Sequence, residues 1–164
     1  MLLLDLWTIT YEAEPYAQRR GLPYEVVRFY AAIIVMALAH IHNKGIVFRD
    51  LKPENVMSDS KGYARIIDFG FAKSVPYMKT DPVTGAQKLM AKTYTLCGTP
   101  EYLPPEFIFN FGHDQSADLW SLGVLIYEMM MGATPFSPAQ PNDVTQLFTN
   151  IALVQKRGTP LPLH

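Results

Sequence analysis

Four side chains carry the chemistry that this sequence can do. Asp50, Lys52 and Asn55 fall within six positions in the stretch VFRDLKPENV, and Asp68 follows thirteen residues after Asn55. Asn55 and Asp68 offer hard oxygen donors of the kind Mg²⁺ takes. Asp50 offers a carboxylate able to orient and deprotonate a hydroxyl, and Lys52 a cation for the charge on a moving phosphoryl group. Together they make one half of a phosphoryl-transfer site. Singly, each reads better as a solvated turn residue bonding to its own backbone. The set carries the reading, because the gap between Asn55 and Asp68 suits a strand, a turn at Ser60-Lys61-Gly62 and a returning strand, which bring the two oxygens side by side.

The elements that must hold this set can be read on either side of it. Val26, Val27, Tyr30, Ile33, Ile34, Ala37, Leu38 and Ile41 recur at three- and four-residue spacing between Pro23, a helix-start residue, and Gly45, a helix-end residue. The spacing predicts a long helix over 22–44, buried along one side. Short strands are predicted at 46–48, 56–59 and 63–68, which leaves RDLKPEN as a loop between strands. From Phe69 to Pro105 the chain is rich in Gly, Pro and Thr without a sustained period, and reads as an extended surface loop of a length that is usually functional or disordered. Residues 116–131, SADLWSLGVLIYEMMM, are apolar nearly all round and predict a helix buried in a core. The fold class is mainly α with a few short strands, without internal repeats.

Composition narrows the partners. With 164 residues the chain fits one domain, and its net charge of −1 gives no basic face for a phosphate backbone, so nucleic acid is not expected. A single cysteine, Cys97, precludes an internal disulfide and fits a reducing, cytoplasmic setting. The start MLLLDLWTIT lacks the basic flank of a secretory signal, and the apolar run Leu122 to Tyr127 stops at Glu128, so no membrane segment is expected. His40 and His42, two apart on a helix, point to different sides and read as helix-end residues, and His113 in GHDQS as a loop residue.

RDLKPEN, DFG and GTPEYLPPE occur in this order, and the chain from about Asp5 to Pro138 resembles the large lobe of a eukaryotic protein kinase. VFRDLKPENV, DFGFAK, YTLCGTPEYLPPE and GHDQSADLWSLGVLIYE are together similar to the AGC group of Ser/Thr kinases, closest to the cyclic-nucleotide-dependent ones. The resemblance implies a partial kinase domain over 1–164, with the catalytic loop at 48–55, the DFG segment at 68–70 and the activation segment at 68–106. It implies ATP and Mg²⁺ as cofactors, with Asp50 as catalytic base, Lys52 at the γ-phosphate, Asn55 and Asp68 on the metal, and Met57 on the nucleotide side. Phe48, where the family has His or Tyr, and Phe69 are implied packing residues, with Glu106 and Asp118 structural. Thr95 resembles the activation-loop phosphorylation site, held by Arg49, and Thr99 the residue that bonds Asp50 and Lys52. Glu54 and Glu128 resemble the pair that binds an arginine two residues before the phosphoacceptor. Asp5 stands where relatives bind an arginine three residues before it, and Glu101 joins the substrate side. The implied partners are protein substrates with Arg or Lys before the acceptor. Residues 78–91 look like an insertion with Lys79, Lys88 and Lys92 exposed.

No G-x-G-x-x-G occurs, and the one lysine before Asp50 is Lys44, at a helix end. The expectation is therefore a fragment lacking the small lobe and the last large-lobe helices, inactive alone, with Glu106 deprived of the arginine that pairs with it in the family. The alternative is a non-catalytic kinase-like binding module or decoy that docks arginine-rich segments.

Overall fold

The computed structural model describes residues 4–12, 21–75, 78–80, 87–89 and 92–157, and of 78–80, 87–89 and 155–157 the backbone alone. Helix α1 spans Leu6–Tyr11, and α2 spans Tyr24–Asn43, where Val27, Tyr30, Ile34, Leu38 and Ile41 form the buried stripe. The α2 stripe packs against α4, Ser116–Met131. Short α3, Pro105–Ile108, and α5, Val144–Arg157, complete the helices. By length and hydropathy α2 could cross a membrane, a property not anticipated from the run at 122–127, but four of its five buried residues, Val27, Tyr30, Ile34 and Leu38, belong to the shared core.

Helix ends follow local chemistry. Gly45, at φ 70°, takes the left-handed turn after α2 and donates its N–H to the His42 carbonyl. Gly132, at φ 68°, does the same for α4. The segment before α2 is fixed to the far end of α4, since Leu22 donates its N–H to the Met129 carbonyl at 2.6 Å. At Gly21, φ 81°, a Cβ would lie 2.2 Å from the Met130 carbonyl oxygen, so only glycine fits this approach.

The strands are β1 Leu4–Asp5, β2 Ile46–Val47, β3 Val56–Ser58, β4 Ala64–Ile66 and β5 Lys73–Ser74. Antiparallel β1, β3 and β4 form one sheet, with Val56 opposite Ile66 and Asp5 opposite Met57. Strand β2 pairs with β5, which ties the chain before the catalytic loop to the chain after Asp68.

Two expectations are corrected. The stretch 69–105 is not an irregular loop throughout: besides β5 it holds a two-stranded antiparallel hairpin, β6 Met78–Thr80 with β7 Gln87–Leu89, and a 3₁₀ turn at Pro100–Tyr102. Paired backbone supplies the order that the side-chain pattern did not signal. Lys92 is exposed and donates to the Phe111 carbonyl, while the Lys79 and Lys88 side chains lie outside the described residues. Helix α4, read as buried all round, is buried on one side only, with Leu119 and Met130 exposed.

Candidate active site

The loop between β2 and β3 closes on itself through the side chains that the sequence singled out. Asp50 is 5% exposed. Asn55, at the end of the 3₁₀ turn Pro53–Asn55, donates its Nδ2 to the Asp50 carbonyl at 2.8 Å and to Asp50 Oδ2 at 2.9 Å. Thr99 donates its hydroxyl to Asp50 Oδ1 at 3.0 Å. Lys52 Nζ stands 3.2 Å from Asp50 Oδ2 and donates to Thr99 Oγ1 at 3.1 Å. Both carboxylate oxygens are thus oriented, and a cation sits beside them. Gly98 makes the closure possible: at φ 103° it brings the segment before Thr99 so near the loop that a Cβ would lie 2.8 Å from the Arg49 carbonyl oxygen.

A second carboxylate holds the loop from beneath. Asp118, in the first turn of α4, is fully buried and accepts from the backbone N–H of Phe48 at 2.8 Å and of Arg49 at 2.7 Å. It also bonds His42 Nε2 at 2.7 Å, which gives that helix-end histidine a tertiary role. Arg49 has φ 72°, a left-handed conformation costing about 1–3 kcal/mol in a residue with a side chain, and the two hydrogen bonds to Asp118 offset it. The Arg49 side chain donates its Nε to the Phe71 carbonyl at 2.7 Å, and its buried Nη1 has no acceptor among the described residues. An anion would satisfy that donor.

Asp68 reaches the site through the β3–β4 hairpin. Ile67 donates its N–H to the Asn55 carbonyl at 2.9 Å, which sets the next residue beside Asn55. Asp68, at φ 58°, is exposed, and its Oδ1 accepts from the Gly70 N–H. Because Asn55 spends its Nδ2 on Asp50, its amide oxygen is the atom left for a ligand. One amide oxygen and one carboxylate suit the hard donor preference of Mg²⁺, so these residues fit the ion. Phe69 stacks edge-on against buried Phe48 at 5.2 Å between ring centres. Met57 lies half-buried in β3.

A pocket of 380 Å³ opens beside Thr99, lined among others by Tyr11, Glu54, Glu101, Tyr102 and Glu128. Glu128 accepts from the Tyr11 hydroxyl at 2.7 Å and from the Tyr102 hydroxyl. Burial, with the nearby Glu54 and Glu101 charges, pushes its carboxyl up to about 7 against the opposing effect of the Tyr11 hydrogen bond. Asp5 does not line this pocket; its Oδ1 caps α1 by accepting from the Thr8 N–H at 2.6 Å. Tyr11 and Tyr102 were not singled out in the sequence. For Tyr11 no motif marks it, since its partner lies 117 positions away.

Thr95 is exposed and lines a separate 150 Å³ pocket with Glu106 and His113. Glu106 is half-buried, and among the described residues no cation pairs with its carboxylate. His113, read as a loop residue, is buried and stacked on Phe107 with 3.7 Å between ring centres, and burial pushes it down to about 4. Its backbone pairs with Thr93, whose hydroxyl accepts from Lys73. Cys97 is half-buried, and burial pushes its thiol up, away from the reactive thiolate.

The chain is similar in sequence to known proteins. Residues 2–161 match the model of the protein kinase domain. The chain is 43% identical over 137 residues to a cGMP-dependent protein kinase, isozyme 2, of Drosophila melanogaster, a match covering 84% of this chain and 13% of that protein. It is 48% identical over 114 residues to the cAMP-dependent protein kinase type 3 of Saccharomyces cerevisiae, covering 70% of this chain and 25% of the relative. A cAMP-dependent protein kinase, catalytic subunit-like, of Caenorhabditis elegans is 48% identical over 117 residues, 71% of this chain and 26% of the relative. The chain thus spans about a quarter or less of the length of these relatives.

Proposed function

The chain belongs to the protein kinase domain family, and from that premise we propose that it carries the catalytic loop and substrate pocket of a Ser/Thr protein kinase of the AGC group, acting on proteins with arginine before the acceptor. The observation that supports this best is the environment of Asp50, a carboxylate with both oxygens oriented by Asn55, Thr99 and Lys52. Protein kinases generally use ATP and Mg²⁺, and the bound ion supplies charge neutralisation for the transferring group. Asp50 orients the acceptor hydroxyl and takes its proton. Lys52 holds a positive charge next to that carboxylate, where the transferred group arrives. Asn55 keeps Asp50 in place, and its amide oxygen and the Asp68 carboxylate would hold the metal ion. The carboxylates of Glu54, Glu101 and Glu128 give the substrate side its preference for a guanidinium. Phosphate on Thr95 would meet the unsatisfied Nη1 of Arg49 and order the activation segment, in a cytoplasmic setting.

The test joins this chain to the ATP-binding small lobe of one of its relatives and follows labelled phosphate into a peptide with two arginines before serine. Transfer should occur and should fall by about 10²–10⁴-fold on Asp50→Asn, the range a general base contributes. Transfer no higher than in the Asp50→Asn protein would refute the reading.

A further inference from the structure

Among the described residues, Glu128 is enclosed by groups of one kind. Tyr11 from α1 donates to its Oε1, and Tyr102 from the 3₁₀ turn at 100–102 donates to its Oε2. Glu54 from the catalytic loop and Glu101 from the same turn as Tyr102 face it across the pocket, and the loop at 133–138 brings no charged side chain to the lining. Among the described residues, every titratable group around Glu128 is therefore an acid or a phenol. Its place in the last turn of α4, near the carbonyl end of the helix dipole, disfavours negative charge further. The Tyr11 hydroxyl is itself raised by burial and by Glu128, so it stays a donor at any ordinary pH.

We propose that Tyr11 is a positioning residue for Glu128, and that the Tyr11–Glu128–Tyr102 cluster makes the pocket a proton-linked specificity element, in which an arginine guanidinium enters as Glu128 gives up one proton to solvent. This rests on the arginine-pocket reading above. An ionised carboxylate has about four lone-pair sites; the two phenols take two and leave a pair for a guanidinium fork. The neutral acid must instead spend its own proton as a donor and presents no charge to the fork. The guanidinium keeps its charge throughout, so the balance is one proton released for each arginine that enters a protonated pocket and none for one that enters an ionised pocket.

Direction follows from linkage. The carboxyl of the empty pocket sits near 7, and a bound cation favours the ionised form, so arginine is held weakly below that pH and tightly above it, by up to about tenfold per pH unit. The probe is an acetylated, amidated Arg-Arg-Ala-Ser-Val peptide, which has no group titrating between pH 6 and 8. Anisotropy titrations with the 164-residue chain at constant ionic strength should give a Kd about tenfold tighter at pH 8 than at pH 6. Tyr11→Phe removes a hydrogen bond that favours the carboxylate and should move the midpoint to higher pH, while Glu128→Gln should weaken binding and flatten the profile. Carbon-13 NMR of the Glu128 carboxyl reads the same midpoint without peptide. Equal Kd at pH 6 and 8, a Glu128 midpoint near 4.5, or an unmoved midpoint in Tyr11→Phe overturns the proposal and leaves the arginine pocket standing. If the chain fails to bind the peptide at pH 8, the arginine pocket itself is refuted and the proposal with it.

Discussion

The two ends of α4 each bury a carboxylate, about 15 Å apart along the axis at 1.5 Å per residue, and use it in opposite ways. Asp118 lies in the first turn, where the helix dipole favours negative charge, and accepts from two backbone N–H groups and His42. Glu128 lies in the last turn, where the dipole opposes it, and has two phenols for donors and two acids for neighbours. One carboxylate is satisfied by fixed groups and works as an anchor. The other is desolvated, repelled by the acids among the described residues and open to a pocket, where the proposed arginine would enter. Burial alone does not distinguish them; their partners do.

Removing the anchor should do the most harm. Asp118→Ala leaves two backbone N–H groups and His42 without their acceptor and releases the left-handed turn at Arg49, and should cost about 3–5 kcal/mol, read from the urea midpoint. A loss below about 1 kcal/mol would put the two ends of the helix on an equal footing. In the chain joined to a small lobe, Asp118→Asn should slow transfer to all peptides alike. Glu128→Gln should instead slow an arginine-bearing peptide by about 30-fold, equivalent to about 2 kcal/mol, and leave a peptide without arginine nearly unchanged. Equal loss on both peptides would make Glu128 a structural residue like Asp118.

Titration sharpens the contrast at a lower magnitude. Glu128, pushed up to about 7, lets the folded chain hold more protons than the unfolded one between about 4.5 and 7. Its contribution to stability is present below that window and is lost as pH rises through it. His113, pushed down to about 4, acts in the opposite sense: its contribution is complete above 6.5 and is lost as pH falls toward 4. Relative to the parent chain, Glu128→Gln should therefore fare better at pH 7.5 than at pH 5, and His113→Phe better at pH 5 than at pH 7.5, by thermal unfolding at both. The same ranking in both variants would mean that other groups dominate the window. The smallest effect belongs to the hairpin: deleting Met78 to Ala91 removes the β6–β7 pairing and should shift stability by less than about 1 kcal/mol, given how slowly loop closure depends on length. A larger loss, or loss of transfer in the joined protein, would make the hairpin part of the site.

Much of this was legible because it is local. The three- and four-residue spacing of Val27, Tyr30, Ile34, Leu38 and Ile41 is itself the buried stripe of α2, since a helix repeats every 3.6 residues. Asp50, Lys52 and Asn55 could be read as a set because one short loop holds all three, and the thirteen residues to Asp68 could be read as a strand, turn and strand. The hairpin at 78–89 was missed because backbone pairing leaves no side-chain period when only three residues on each strand take part. The exposed side of α4 was missed because an apolar sequence says what a helix can bury, not what lies against it. The tertiary structure alone decided that Asp118 would meet the Phe48 and Arg49 backbone from about 70 positions away, and that Tyr11 would meet Glu128 across 117. Such contacts depend on how whole elements pack, and no short-range pattern of residue types encodes which phenol or which N–H a buried carboxylate will find.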